Sequence, residues 1–315
     1  MNQLEWNQFV HMHGPLSGSF LHSWEWGEFQ KAVGEQVRRE IITHKDQTIG
    51  VAQWLDRQLP FFGTYSFCPK GPIFCEAADL LEWSRFFQDQ IFLRVEPERE
   101  ILTKQICKSI DLNPAHTLLT DFSKTEEELM QAMHPKTRYN IRIAQKHEVQ
   151  IDLNRIDFET VWKMFEQTSS RGQFRLHAKR YYKTMIESLQ TGDCRAFLAV
   201  AKHKDLLLAA NILIDFGKTR TYLHGASSNE HRNFMGPYLL HWELMKNAKQ
   251  QGLEIYDWWG VAAQNASGYH PWAGISRFKR GFGGIQSQTP GTQDIIGKPL
   301  KYHLYQLARR VRRMI

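Results

Sequence analysis

The chain has 315 residues, 42% of them hydrophobic, so two hydrophobic cores are expected and a disordered chain is excluded. Its formal net charge of +7 and pI near 9.2 fit a partner with phosphate groups, a membrane surface or an ordinary soluble enzyme. Four scattered cysteines without a CxxC pair exclude a zinc or disulfide framework. We expect free thiols and a cytoplasmic protein, because the N-terminus lacks signal-peptide features and no apolar run is long enough to span a membrane.

The first third of the chain predicts two short helices and then strands. Helices are expected at Trp6–Val10 and Trp24–Val33, the second entered through Ser23. Runs rich in apolar and β-branched residues predict strands at Val37–Ile42, Ile49–Leu55, Ile91–Val95 and Ala115–Asp121. A helix is expected at Leu80–Gln90, and the prolines and glycine of Pro69-Lys70-Gly71-Pro72 predict a loop.

A capping box and a basic stripe mark the next two helices. Thr125 followed by Glu128 predicts a helix start, and a second helix is expected at Thr137–Lys146. Its bases recur at i, i+4 and i+8 and form one face, consisting of Arg138, Arg142 and Lys146. Tyr139 and Ile143 form an adjacent apolar face. The basic face is either a solvated surface or a contact for phosphates.

The second half continues with helices and then strands. Helices are predicted at Phe158–Thr168 and near Tyr181, and strands at Ala196–Ala201, Leu206–Ile214, Thr219–His224 and Glu254–Trp259. Pro237 suits the first turn of a long helix that Gly252 ends. The similar order of elements in both halves indicates a duplicated α/β unit. A basic helix is expected at Lys298–Ile315, with Arg309, Arg310, Arg312 and Arg313.

Two segments have residue types suited to anions. Phe278-Lys279-Arg280 precedes three glycines in four positions, and glycine lets a backbone approach a ligand while a positioned lysine stabilises an oxyanion. The alternative is a glycine-rich turn with solvated bases. Arg232 precedes Gly236-Pro237 at a helix start, where backbone N–H groups and an arginine form a phosphate or carboxylate site. This loop is similar to the pyrophosphate loop of acetyl-CoA-dependent N-acetyltransferases, but its stretched spacing and Pro237 disfavour coenzyme A.

Other candidate groups are less specific. Asp257 lies among aromatic residues at a strand end, which suits either the ordering of a substrate amine or the cap of a loop. His11 and His13 are spaced as a metal pair, but without further clustered ligands we predict no metal site. The chain has no Gly-x-Ser-x-Gly elbow and no catalytic Cys-His signature, so a covalent acyl-enzyme is not supported.

Together these segments resemble the FemABX family of non-ribosomal peptidyl transferases, which build peptidoglycan cross-bridges. A single matching block is weak evidence for the family, whereas a set of blocks in the family's order along almost the whole chain is specific evidence. The blocks are Phe20-Leu21-His22-Ser23-Trp24-Glu25-Trp26-Gly27, Pro69-Lys70-Gly71-Pro72, Lys136 to Arg142, Thr168-Ser169-Ser170-Arg171, Tyr181-Tyr182, Tyr222 to Ser228, Arg232-Asn233, Gly236 to Glu243, Tyr256-Asp257, Gly260, Gly274-Ile275 and Phe278 to Gly284.

The resemblance implies an α/β fold of two GNAT-like (acyl-CoA N-acyltransferase) domains in tandem. The expected domains are residues 1–150 completed by 291–315, and residues 151–290 with the catalytic segment. The helical-hairpin arm of some members is not expected, because nothing between Tyr182 and Gly252 is long enough. The implied reaction is aminoacyl transfer for cell-wall bridges: a stem-peptide amine of a peptidoglycan precursor attacks the ester of an aminoacyl-tRNA, without a metal or redox cofactor.

Site residues of the family carry over to matching positions. Lys279 is expected to stabilise the oxyanion or the leaving ribose oxygen, and Phe278 to shape the pocket. Arg171 matches a residue that contacts the precursor's phosphates, and Asp121 a domain-one aspartate near the acceptor. The other expected substrate contacts are Tyr222, His224, Arg232, Asp257 and Lys70. Expected tRNA or phosphate contacts are Arg138, Arg142, Lys146 and Arg280.

The expected partners are aminoacyl-tRNA and either lipid II or UDP-MurNAc-pentapeptide. Both substrates are polyanionic, which matches the positive net charge. The arginine-rich tail is a further candidate contact for tRNA or for the inner face of the cytoplasmic membrane. Two rival functions stay open: an acyl-CoA-dependent N-acyltransferase of the same fold, and a non-catalytic RNA- or precursor-binding protein.

Overall fold

The computed structural model describes residues 1–75, 83–101, 105–153 and 156–314. The chain divides into two units: unit 1 consists of Met1–Ala115 and Gln288–Ile315, and unit 2 of His116–Ser287. The predicted boundary at residue 150 is wrong. Residues 116–150 belong to unit 2 because the strand they begin with pairs antiparallel with the strand at Ile255–Gly260.

Unit 1 packs its helices on a mixed sheet. The helices are α1 (Gln3–His13), α2 (Trp24–Ala32) and, from the C-terminal segment, α9 (Pro299–Met314). The strands are β1 (Gln36–His44), β2 (Gln47–Leu59), β3 (Gly63–Cys68), β4 (Ile73–Phe74), β5 (Phe92–Val95), β6 (Ile106–Lys108) and β14 (Gln293–Ile296). Their order is β1-β2-β3-β5-β14-β6, with β4 on β2.

The C-terminal segment belongs to unit 1 because β14 is inserted between β5 and β6. Ile295 pairs with Leu93 on one side and with Ile106 on the other, both antiparallel. A buried bidentate ion pair reinforces this pairing, since Arg94 donates to both carboxylate oxygens of Asp294 at 2.7 and 2.8 Å. Sequence-distant residues are therefore joined in one core.

Unit 2 combines strands and helices around a second mixed sheet. In chain order its elements are β7 (His116–Asp121), α3 (Glu126–Ala132), α4 (Pro135–Lys146), β8 (Gln150–Asp152), α5 (Phe158–Gly172), α6 (Lys179–Ser188), β9 (Cys194–His203), β10 (Leu206–Phe216), β11 (Thr219–Ser227), α7 (Gly236–Gln250), β12 (Ile255–Gly260), α8 (Ala273–Arg280) and β13 (Ile285–Gln288). The strand order is β13-β7-β12-β11-β10-β9-β8.

Local signals place several of these elements. Ser23 caps α2 by accepting the Trp26 N–H at 3.0 Å, and Thr125 and Glu128 form the predicted capping box of α3. Helix α7 begins with Gly236-Pro237 and buries an apolar face against α4, β9 and β10. Each leucine on that face contributes roughly 1.5–3 kcal/mol through burial. This packing fixes α7 beneath β9 and β10.

Two helix predictions need correction. The predicted helix at Leu80–Gln90 falls partly on residues 80–82, which lie outside the described residues, and the remainder contains a 3-10 turn at Trp83–Phe86. In α4 the buried side chains are Thr137, Asn140, Ile141 and Ala144, whereas Tyr139 is exposed. The predicted apolar face of α4 is therefore displaced, because the buried face combines Ile141 with small and polar residues.

The predicted α/β class with tandem units is confirmed. Between α6 and α7, a stretch that lies wholly within the described residues, the chain forms β9, β10 and β11 and no helical hairpin. Within the described part of the chain, every helix is too short or too polar to cross a membrane.

Candidate active site

The candidate site lies where two parallel strands of unit 2 separate. The pairing of β11 with β12 runs from Thr219–Ile255 to Thr221–Asp257 and then stops, although both strands continue. Each strand is irregular just beyond that point. On β11 the partners change from Tyr222–Leu213 to His224–Ile212, and on β12 Trp259 has a φ of +58°. Such bulges redirect side chains and are frequent beside functional sites.

Lys279 reaches this point from the last turn of α8. Its side chain is buried, and its Nζ donates a hydrogen bond to the carbonyl oxygen of Gly260, the last residue of β12, at 2.8 Å. The ammonium also lies 5.2 Å from the ring centroid of Tyr222, a distance suited to a cation–π contact. The structure thus brings Lys279 and Tyr222 together at the strand separation.

The electrostatic environment lowers the proton affinity of Lys279. Burial lowers the pKa of Lys279 to about 7, and the negative charge of Asp257 partly opposes this effect. Asp257 is fully buried on β12, where its Oδ1 accepts the Trp259 N–H at 2.8 Å. Asp257 therefore orders the irregular end of β12 and also raises the pKa of Lys279, whereas its predicted contact with a substrate amine stays a prediction.

Aromatic side chains form a wall around the lysine. Phe278 packs edge-on against Tyr238 and Phe282, with ring centroids 5.0 and 5.3 Å apart. His241 of α7 lies 4.4 Å from the ring of Tyr222 and 5.6 Å from that of Phe278. These rings exclude water from the ammonium, which strengthens its electrostatic interactions. Phe278 thus belongs to this aromatic wall, and its predicted role in shaping the pocket stays a prediction.

His241 belongs to the site although the sequence did not single it out as a site residue. Its two ring nitrogens are hydrogen-bonded to Oη of Tyr256 at 2.9 Å and to Nδ2 of Asn211 at 3.2 Å. Burial and the positive charge of Lys279 lower the pKa of His241, so the ring is neutral. The sequence did not indicate a site role for His241, because the residue lies in the apolar face of α7 and its partner Tyr256 is on a different element.

Gly225 provides the space that Tyr222 occupies. A Cβ at this position would lie 1.9 Å from Oη of Tyr222. Burial raises the pKa of Tyr222, so its phenol stays protonated. A side chain at Gly225 would therefore move Tyr222 away from Lys279.

A second group of predicted residues gathers at the far end of β11. Arg171 of α5 donates to the carbonyl oxygen of Ser227 at 3.1 Å, and partial burial together with the positive charge of Arg232 lowers the pKa of Arg171. The ring of His224 packs against Tyr182, and burial, assisted by the charge of His177, lowers its pKa to about 3. Two neighbouring arginines form a position suited to phosphate groups.

The loop before α7 differs from its prediction. Three of its backbone N–H groups are used within the loop: Phe234 donates to His231, Met235 to Arg232 and Tyr238 to Met235. Pro237 has no N–H to offer. Three of the backbone donors that an anion site would need are therefore already used, whereas the Arg232 side chain is exposed.

The glycine run after Lys279 also has a different role. Gly283 and Gly284 have φ values of +83° and +102°, and a Cβ on Gly284 would lie 2.7 Å from the carbonyl oxygen of Leu119. The backbone approaches β7 and α3 rather than a ligand. Lys279 itself belongs to α8, a helix that was not predicted because the neighbouring glycines favour a turn.

Asp121 lies elsewhere in unit 2. It pairs with Ile255 at the start of β12, five residues before Gly260, which is about 16 Å along a strand. Its exposed carboxylate accepts the N–H and the Oγ–H of Ser123 at 2.8 and 2.9 Å. The prediction that Asp121 belongs to the first domain is wrong, and the residue caps a turn.

Of the remaining predicted residues, Lys70 and Arg138 have structural partners. Lys70 is buried in unit 1, where its ammonium donates to the carbonyl oxygen of Pro114. Arg138 donates to the Gln131 carbonyl at 3.1 Å and also to that of Met133, which ties it to the end of α3. Arg142 and Lys146 are exposed on α4. The predicted basic stripe therefore has two freely exposed members rather than three.

A cavity of about 340 Å³ lies beside the site, between the loop after β12 and α8. Ala262, Arg277 and Arg280 are among its lining residues. Arg280 is held there by hydrogen bonds to the Ala262 carbonyl and, at 2.9 Å, to Oε1 of Gln286. Arg277 and Arg280 give this cavity a positively charged wall next to the helix that carries Lys279.

Known proteins similar to this chain agree on its family. The FemAB family model matches residues 106–201 and 189–310, more than half of the chain. The lipid II:glycine glycyltransferases of Staphylococcus epidermidis and Staphylococcus aureus are each 22% identical to it, covering 94% and 98% of this chain and 92% and 94% of theirs. Their alignments extend over 389 and 405 positions, so these relatives contain segments that the 315-residue chain lacks.

The fold is shared with a solved member of this group. The crystal structure of FemX superposes with a TM-score of 0.80 at 19% identity, over 96% of this chain and 98% of FemX. Because the two matched ranges of the family model together include all of unit 2, the predicted resemblance is confirmed: the chain belongs to the FemAB family.

Proposed function

We propose that the protein is an aminoacyltransferase that moves an amino acid from aminoacyl-tRNA to the stem-peptide amine of a peptidoglycan precursor. Two curated relatives are named lipid II:glycine glycyltransferase, which supports transfer for cell-wall cross-bridges and lipid II as the acceptor. The observation that carries the proposal is the buried ammonium of Lys279 at the separation of β11 and β12.

The reaction needs positioning and charge stabilisation more than covalent assistance. The acceptor amine attacks the carbonyl carbon of the aminoacyl ester, a C–N bond forms, and the ester C–O bond breaks. A proton from the amine ends on the leaving ribose oxygen, so atoms and charges balance. Because the ester is activated, orienting the reactants and stabilising the oxyanion provide most of the rate enhancement.

Lys279 is suited to stabilise both the oxyanion and the leaving ribose oxygen of this reaction. In a dry, aromatic-walled site a fixed ammonium interacts strongly with developing negative charge. A pKa of about 7 also lets Lys279 release a proton to the leaving oxygen near neutral pH. Its bond to the Gly260 carbonyl holds the ammonium in place before substrate arrives.

The arginines near the end of β11 are proposed to bind phosphate. Arg232 is close enough for its charge to lower the pKa of Arg171, and both side chains are exposed. An anion that binds between two neighbouring cations offsets the electrostatic repulsion between them. The diphosphate of a precursor and the phosphates of a tRNA offer that chemistry.

Coenzyme A is a less suitable donor for this site. Its pyrophosphate requires free backbone N–H groups at the start of α7, and those of Phe234, Met235 and Tyr238 are already donated within the loop. Acetyl-CoA titration by calorimetry should therefore give no binding. Saturable binding in that titration would instead favour the acyl-CoA-dependent rival.

The direct test is to incubate the protein with charged tRNAs and with lipid-linked or UDP-linked pentapeptide, and to weigh the products by mass spectrometry. A precursor heavier by one amino acid residue, formed only with charged tRNA, is expected. Precursor unchanged with every charged tRNA and both acceptors would overturn the proposal. Precursor binding without any turnover would favour the non-catalytic rival.

A further inference from the structure

The outer face of α9 is apolar. Leu300, Leu304, Leu307 and Val311 are 84%, 59%, 60% and 45% exposed. Their spacings of four, three and four residues place them within roughly 60° of one another around a helix of about 100° per residue. Four large aliphatic side chains thus form one continuous stripe on the surface of unit 1, which we call the α9 stripe.

The opposite face of α9 fixes the helix to unit 1. The rings of Tyr302 and Tyr305 lie 5.2 and 5.5 Å from that of Phe92 in β5. Oη of Tyr302 donates to Oδ2 of Asp294 at 2.9 Å and accepts from Nε2 of Gln306 at 2.7 Å. Since this face supplies the packing of α9, the α9 stripe is not needed for the core of unit 1.

Basic residues accompany the α9 stripe. Lys301 and Arg310 are exposed, and the sequence Pro299–Met314 contains no aspartate or glutamate. The side chains of Arg312 and Arg313, which the sequence also places in this basic helix, lie outside the described part. An apolar stripe bordered by bases fits an anionic lipid surface, where the aliphatic groups enter the interface and the bases meet headgroups. Nucleic acid would use the bases but not the leucines.

An exposed phenylalanine adjoins the same helix. Phe61, in the turn between β2 and β3, is fully exposed and has a φ of +71°. Its neighbour Phe62 contacts Tyr305 of α9, with ring centroids 6.0 Å apart. A bulky residue seldom adopts a positive φ, so a turn that holds an aromatic ring in solvent indicates a contact made outside the chain.

We propose that the α9 stripe, together with Phe61, docks the protein on an anionic lipid surface as an interfacial helix. The helix lies parallel to the surface with its aliphatic groups in the acyl boundary and Lys301 and Arg310 at headgroup level. This inference does not require the proposed aminoacyl transfer. If that transfer holds, docking brings the enzyme to a lipid-linked acceptor.

Vesicle sedimentation tests the proposal without tRNA or precursor, so its result is independent of the proposed function. The wild-type protein should sediment with vesicles of phosphatidylglycerol and phosphatidylcholine, and more weakly with phosphatidylcholine alone or at high salt. Leu304→Ser/Leu307→Ser should lower the affinity roughly tenfold or more, since two leucines no longer enter the interface. Leu4→Ser/Leu16→Ser is the matched control, because those leucines are 65% and 58% exposed elsewhere in unit 1.

The basic contribution has its own pair of variants. Lys301→Gln/Arg310→Gln should lower affinity for the anionic vesicles roughly tenfold and leave binding to phosphatidylcholine unchanged. Lys163→Gln/Lys183→Gln, which removes two exposed lysines of unit 2, should retain binding within about twofold.

Three results would overturn the inference. The first is failure of the wild-type protein to sediment with anionic vesicles. The second is equal sedimentation of Leu304→Ser/Leu307→Ser and the wild type. The third is a wild-type dimer, seen by light scattering, that Leu304→Ser/Leu307→Ser converts to a monomer without changing vesicle binding, which would assign the α9 stripe to a second copy of the chain.

Discussion

Arg220 and Lys279 are both buried cations of unit 2, but their surroundings differ. Arg220 donates to the two carboxylate oxygens of Asp215, each at 2.7 Å, and also to the Leu244 carbonyl and to Asn247. Lys279 donates to the Gly260 carbonyl and is otherwise surrounded by aromatic rings and the field of Asp257. One cation is fully paired within the fold, and the other is held in a dry site with a lowered pKa.

The difference separates a structural charge from a functional one. A buried charge destabilises a protein unless it is paired and hydrogen-bonded. Arg220 satisfies that condition and joins β11 to β10 and to α7. Lys279 has a hydrogen bond to a neutral carbonyl, and Asp257 opposes the lowering of its pKa only in part, so its charge is only partly compensated. Buried groups with shifted pKa values of this kind are concentrated at active sites, where a substrate can supply the compensating charge. The contrast predicts opposite consequences for stability and activity.

Removing Arg220 should have the largest effect on folding. Arg220→Ala leaves the buried carboxylate of Asp215 without its partner, so the free energy of unfolding should fall by about 3–5 kcal/mol. Urea denaturation followed by fluorescence measures this loss. Arg195→Ala removes an exposed arginine of β9 and should change the free energy by no more than about 0.5 kcal/mol. Equal effects of both substitutions would contradict the structural role of Arg220.

Displacing Tyr222 should impair transfer while the fold persists. Gly225→Ala places a Cβ against Oη of Tyr222, and the ring must leave the ammonium of Lys279. We expect kcat/KM for aminoacyl transfer to fall roughly tenfold to a hundredfold. In a Tyr222→Ala background the added Gly225→Ala change should have no further effect. Additive losses in that double-mutant cycle would show that Gly225 acts by another route.

The charge on Lys279 should appear in the pH dependence. If the protonated lysine is the active form, kcat/KM falls as the pH rises through about 7. Asp257 raises the pKa of Lys279, so Asp257→Asn should move that descending limb to lower pH. The mutant amide keeps the shape of the buried side chain. A limb at the same pH in both proteins would assign the titration to another group.

Asp121 should show the smallest effect, because the structure places it away from Lys279. Asp121→Ala removes the cap of the turn at Ser123, which costs about 0.5–1.5 kcal/mol of unfolding free energy. Steady-state assays should give a kcat/KM within about twofold of wild type. A tenfold loss with unchanged stability would restore Asp121 as a substrate contact.

Local chemistry made much of the fold predictable. The capping box at Thr125, the cap at Ser23 and the proline of Gly236-Pro237 act within one turn of the helices that they begin. The predicted strands at Ala196–Ala201 and Leu206–Ile214 were confirmed because they form a hairpin joined by a short polar turn. The ordered family blocks likewise identified the family before any geometry was available.

Features that depend on distant pairing were not predictable. β14 consists of four residues, and its partners in β5 and β6 lie far away in the sequence, so neither periodicity nor a turn marks it. For the same reason β7 was assigned to the wrong domain, since its partner β12 follows more than 130 residues later. Helix α8 was missed because Gly274 and the glycines after Arg280 favour a turn.

The sequence singled out Lys279 and Phe278, whose predicted roles stay predictions, but it did not indicate the residues packed around them. His241 and Gly225 have ordinary positions in an apolar helix face and a strand, and their roles arise from contacts with Tyr256 and Tyr222 on other segments. The roles predicted for Arg171, His224, Arg232 and Lys70 stay predictions. Aminoacyl-tRNA as donor and the absence of a cofactor also stay predictions.

The single-turnover rate of aminoacyl transfer in Lys279→Ala tests the central claim most directly. The rate should fall roughly a hundredfold to a thousandfold, since the variant lacks the charge that stabilises the oxyanion. Precursor affinity and unfolding free energy should stay close to wild type, and Lys163→Ala, at an exposed lysine of α5, should transfer normally. A Lys279→Ala protein that transfers at the wild-type rate would contradict the account.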